Sequence, residues 1–117
     1  MSYDLYLRNS DGQIAVVPDG HDLRGGIYAL GGSAYAEFNI TYNYWVHFRR
    51  VLGDKGIRTL YGKTGAETVP ILQQAIDRLG RDTDPDYWKP TEGNARKALE
   101  CCLLLARACP DAIWEGD

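Results

Sequence analysis

Ala34-Tyr35-Ala36-Glu37-Phe38-Asn39-Ile40-Thr41-Tyr42-Asn43, running directly into Tyr44-Trp45-Val46-His47-Phe48-Arg49-Arg50-Val51-Leu52-Gly53, decides the fold class of this 117-residue chain. In the first ten residues Ala36, Phe38, Ile40 and Tyr42 alternate with Tyr35, Glu37, Asn39, Thr41 and Asn43. Successive side chains of a strand point to opposite faces, so this is a long strand with one buried face and one hydrogen-bonding face. From Tyr44 the period changes. Trp45, Phe48, Val51 and Leu52 recur at helical spacing as a buried stripe, Arg49 and Arg50 turn the other way, and Gly53 supplies a stop.

Toward the N-terminus the period of two persists. Tyr3, Leu5 and Leu7 alternate with Asp4, Tyr6 and Arg8, Asn9-Ser-Asp-Gly12 has turn chemistry, and Gln13 to Val17 can return antiparallel before Pro18-Asp-Gly20. His21 to Gly26 reads as loop, Ile27 to Leu30 as a short strand, and Gly31-Gly-Ser33 as a turn. Toward the C-terminus the helical period takes over. A second helix is expected from Thr68 or Val69, because Pro70 suits only a first turn, and it should end at Gly80. Between them Gly56 to Gly65 is a glycine-rich loop that Ile57 and Leu60 can anchor. Asp82 to Pro90, with two prolines, three aspartates, Tyr87 and Trp88, is a connection held down by aromatics. A third helix starts with Thr91 as N-cap and runs to about Cys109, where Pro110 stops it, and Ile113 and Trp114 fold back. The expected architecture is α+β: about four antiparallel strands in the N-terminal half, packed on about three helices in the C-terminal half, as one domain over residues 1–117.

Composition limits function. Net charge is −3, against an affinity built on neutralising many nucleic-acid phosphates. The charge is uneven: residues 1–46 hold five acids and two bases, residues 47–63 one acid and five bases, and residues 64–117 ten acids and six bases. A local basic patch on an acidic chain suits a small anion or an acidic patch on a partner. The first residues lack a secretory signal and no apolar run approaches membrane-spanning length, so a cytoplasmic protein is expected. Cys101, Cys102 and Cys109 read as small core hydrophobes. No zinc spacing or catalytic constellation stands out, so no metal, cofactor or catalytic residue is assigned.

Gly62-Lys63-Thr64 has the ending of a phosphate-binding P-loop, but five residues separate Gly56 from Gly62 where the motif needs four. A glycine-rich loop bearing Arg58, Lys63 and Thr64 could still grip one phosphate or carboxylate. Tyr42, Tyr44, Tyr61 and Trp88 offer stacking surfaces, and Asn39 and Asn43 offer amides to read polar edges. Together these nine residues form a candidate site for a small anionic ligand such as a nucleotide.

Asn39-Ile-Thr-Tyr-Asn-Tyr44, Gly56-Ile-Arg-Thr-Leu-Tyr-Gly-Lys-Thr-Gly-Ala-Glu67, Asp86-Tyr-Trp-Lys-Pro-Thr-Glu-Gly-Asn-Ala95 and Ile113-Trp-Glu-Gly-Asp117 resemble a family of small uncharacterised proteins of bacteriophages, prophages and bacteria. The resemblance implies a phage-associated cytosolic protein, among which counter-defence factors are frequent; it implies no activity and no site residues. After the first word, where that family carries Ser or another small residue, this chain has Trp45. The leading expectation is a non-enzymatic sponge that sequesters a nucleotide immune signal. Two alternatives stay open. One is a protein-binding inhibitor of a host defence complex, of the anti-CRISPR kind, using the basic segment or the acidic C-terminal half. The other is a small nucleotide hydrolase or transferase with Glu37, Glu67 or His47 as acid or base. A homodimer is the expected assembly.

Overall fold

The computed structural model describes residues 2–18, 27–28 and 34–117. The chain is α+β. Strands β1 (Ser2–Arg8), β2 (Ile27–Tyr28), β3 (Glu37–Thr41) and β4 (Ile113–Gly116) form an antiparallel sheet in the order β2-β3-β1-β4, with β2 a pairing of only two residues. The helices are α1 (Trp45–Leu52), α2 (Gly65–Asp77) and α3 (Glu92–Ala108), with 3-10 turns at Tyr42–Tyr44 and Gly56–Leu60.

Alternation in β1 and β3 is as the sequence requires. Tyr3, Leu5 and Leu7 are buried, as are Ala36, Phe38 and Ile40, while Asp4, Tyr6, Arg8, Glu37 and Asn39 lie half-exposed on the opposite face. The register places Leu5 opposite Phe38 and Asp4 opposite Asn39. A single buried cluster joins this apolar face and Trp114 to Phe48, Leu72, Leu99 and Leu105 of the helices. Hiding that apolar surface is the main drive for the sandwich, at roughly 25 cal/mol per Å².

The layout differs from the expected one in several respects, among them that α2 ends at Asp77, short of Gly80, and β3 begins at Glu37, not Ala34. The fourth strand is C-terminal: Ile113–Gly116 pairs with β1, because Trp114 must be buried and this pairing seats it beside Leu7 with its ring edge-on to Phe38. Gln13 to Val17 makes only isolated bridges, Arg8 to Ile14 and Val16 to Tyr35, since Ala15 is shared between Leu7 and Ala36. The long strand ends at Thr41, whose hydroxyl accepts from the Asn43 N–H and opens a 3-10 turn, so Thr41 is buried and strand alternation stops there. Helix α2 starts at Gly65, earlier than Pro70 suggests. Thr64 and Glu67 cap each other reciprocally, which outweighs the one hydrogen bond that Pro70 deletes in the second turn. Finally, Trp45 is exposed, and the fully buried Tyr44 takes its place with Phe48 and Val51. The ends of α1 and α3 fall where expected: Gly53, at φ 102°, terminates α1, and Thr91 caps α3. The expected loop at His21–Gly26 and the Gly31–Ser33 turn lie outside the described residues, as does Leu30.

Candidate binding surface

The nine residues expected to form one ligand site fall into separate groups, and most are engaged with the protein itself. Asn39 lies on the open face of the sheet, its Nδ2 donating to Ser2 Oγ at 2.7 Å and Asp4 Oδ1 at 2.5 Å. Tyr42, Arg58 and Tyr61 meet around the last residue of the chain. Arg58 donates to the Tyr42 hydroxyl at 2.6 Å and to the main-chain oxygen of Asp117 at 2.9 Å, and its guanidinium lies over the rings of Tyr3 and Tyr42. The hydrogen bond to Tyr42 holds the Arg58 cation more firmly still, and burial pushes the Tyr61 phenol up. This cluster ties β4 to the 3-10 turn at 56–60.

Lys63 and Thr64 serve the loop that leads into α2. Lys63 Nζ donates to the Thr59 carbonyl at 3.0 Å, and the Thr64 hydroxyl accepts from the Glu67 N–H as the N-cap. Asn43, Tyr44 and Trp88 meet at the irregular 82–90 connection. Asn43 Nδ2 donates to the Trp88 carbonyl at 2.7 Å, the Tyr44 hydroxyl donates to the Tyr87 carbonyl, and His47 Nε2 donates to the Pro90 carbonyl at 2.7 Å. Burial pushes the Tyr44 phenol up to about 12, so it stays a donor at any physiological pH. From the other side Asn94, buried on α3, accepts from Asp84 N and donates to the carbonyls of Asp86 and Lys89. The connection is thus held by side chains of neighbouring elements reaching its backbone. Its own Trp88 stacks on Tyr87 at 4.6 Å and stays largely in solvent.

Several large apolar side chains are presented to solvent, among them Val16, Leu104 and Ile113 as well as two on α1 and one on the 82–90 connection. Trp45 is 45% exposed, Val46 55% and Trp88 51%. Asn43, just before α1, and His47, on it, hold the carbonyls of Trp88 and Pro90, so the 82–90 connection lies beside the start of α1. Trp45, Val46, Arg49, Arg50 and Asp54 line a shallow depression of about 340 Å³. Arg49 lies over the Trp45 ring at 5.3 Å, with Asp54 at 4.0 Å, whereas Arg50 is paired with Glu92 at 2.6 Å. Val46 and Arg49 were readable as outward positions from the helical spacing of Phe48 and Val51. Trp45 was not, because an aromatic at the head of an apolar stripe reads as core.

Two of the three candidate acids and bases, Glu67 and His47, are held in structural roles. Glu67 closes the cap of α2, its carboxyl lowered by the Thr64 N–H, and His47 holds Pro90. Among the described residues no group of three or more His, Cys, Asp or Glu could hold a metal ion, and no helix is long and apolar enough to cross a membrane. Cys102 and Cys109 are buried, and burial raises the thiol of each. No family model, curated protein or solved structure matches the chain.

Proposed function

We propose that this chain is a protein-binding module that presents the outer face of α1 and the neighbouring Trp88 to a macromolecular partner. The observation that carries this reading is the exposure of Trp45 and Val46 side by side on α1, around a shallow depression that Arg49 also lines. Large exposed apolar side chains are ordinary when scattered, but a cluster of them rimmed by charge marks an interaction surface. Tryptophan and arginine are also the residues that dominate the energetics of such surfaces. In the phage setting that the sequence resemblance implies, the partner would be a component of a host defence complex, blocked by occupation of its surface.

The test is affinity enrichment from host lysate with the wild-type chain and with a Trp45→Ala/Trp88→Ala variant. A partner retained by the wild type and depleted about tenfold or more in the variant supports the reading. Equal retention by both overturns it.

A second reading, retention of a small anionic ligand such as a nucleotide, draws on Arg58. It is exposed beside the rings of Tyr3 and Tyr42, with two of its five N–H donors engaged in the bonds above. That reading expects nucleotides to raise the melting temperature of the wild type and not of an Arg58→Ala/Lys63→Ala variant. A shift that persists in the double variant removes these residues from the site.

A further inference from the structure

Resting on the protein-binding reading, we infer that the α1 surface takes a segment of a partner protein that carries a carboxylate next to an apolar side chain, with Arg49 as the residue that reads the charge. The depression supplies an apolar floor from Trp45 and Val46, and three charged groups stand at it: Arg49, Arg50 and Asp54. These are not equivalent. Arg50 is committed to Glu92 at 2.6 Å, while Arg49 meets Asp54 only at 4.0 Å, and that aspartate is fully exposed. Such an exposed pair is worth little and yields readily to a competing carboxylate.

Trp45 keeps Arg49 at the depression, its guanidinium carbon 5.3 Å from the centre of the indole ring. A guanidinium there can receive a carboxylate in two parallel hydrogen bonds. The apolar neighbour of the carboxylate would then cover Trp45 and Val46. Nucleic acid fits less well. With Arg50 committed to Glu92, Arg49 is the one loosely paired cation lining the depression, which suits a single carboxylate better than a strand carrying a phosphate at every nucleotide.

The probes are synthetic 12-residue peptides with a central leucine flanked by glutamates, the same peptide with glutamines, and an oligodeoxythymidine. Each is titrated into the ¹⁵N-labelled full chain while the amide signals of α1 are followed. The glutamate peptide is expected to move α1 signals and to lose about tenfold or more in affinity with either Arg49→Glu or Trp45→Ala. An Arg107→Glu control on α3 is expected to leave it unchanged. Glutamine and glutamate peptides that bind alike, both sensitive to Trp45→Ala, overturn the acidic preference and leave the docking surface standing. Tighter binding of the oligonucleotide at the same signals overturns the choice of a protein partner. If neither peptide moves α1, the inference and the docking reading on which it rests both fail.

Discussion

At the scale of single residues the structure depends on a few buried polar contacts. Trp114 is fully buried, and its indole N–H donates to the Thr68 hydroxyl at 2.9 Å, which itself donates to the Gly65 carbonyl at 2.8 Å. Thr68→Val preserves the shape and strands the indole donor, so unfolding in urea should show a loss of about 1–3 kcal/mol. Gly93 is constrained by space. A Cβ there would stand 2.6 Å from both the Asp82 carbonyl carbon and the Thr83 nitrogen, which are backbone atoms that cannot swing away. Gly93→Ala should therefore destabilise by about 1–3 kcal/mol, although a better helix former replaces a worse one. Neither effect was legible in the sequence. Trp114 reads as a residue that folds back, but its partner lies 46 residues away.

At the scale of elements, the caps and the 82–90 connection carry the predictions. Thr64→Ala removes the N-cap of α2 and should cost about 0.5–2 kcal/mol. The Glu67 carboxyl is held below the usual range by the Thr64 N–H, and Glu115 by its hydrogen bond to Arg8. A carboxyl depressed in the folded state contributes stability above its unfolded pKa, about 4.3, and loses it as pH falls through the folded value. A Glu67→Gln/Glu115→Gln variant should then show a flatter decline of melting temperature below about pH 4. An unchanged acid limb would contradict this. Asn94→Ala strips the 82–90 connection of three hydrogen bonds at once and should raise its amide exchange rate and protease sensitivity ahead of global unfolding. The helical elements were largely legible: Gly53, Thr91 and Pro110 act through local sterics and capping that sequence displays directly. The start of α2 was not, because a capping box competes there with a proline and only the balance of the two decides.

At the scale of the molecule, residues that hold it together separate from residues that face outward. Trp45 and Arg49 lie outside the buried core, so Trp45→Ala and Arg49→Glu should each cost less than about 1 kcal/mol of stability while weakening partner binding. A large stability loss would make Trp45 a packing residue instead. The sequence by itself determined that the chain is α+β, that Tyr3, Leu5, Leu7, Phe38 and Ile40 face the core, where α1 and α3 end, and that a basic stretch lies between acidic ones. These follow from periodicity, capping and counting, which are local. Only the tertiary structure decided that the last residues complete the sheet beside β1, that Tyr44 and not Trp45 enters the core, and that Asn43, Tyr44, Arg58, Lys63 and Thr64 each bond to the protein's own backbone or side chains. The reason is the same in each case. A polar side chain in sequence carries only the capacity to bond, and whether a ligand or the protein itself fills that capacity depends on which distant carbonyls and hydroxyls the fold brings within about 3 Å.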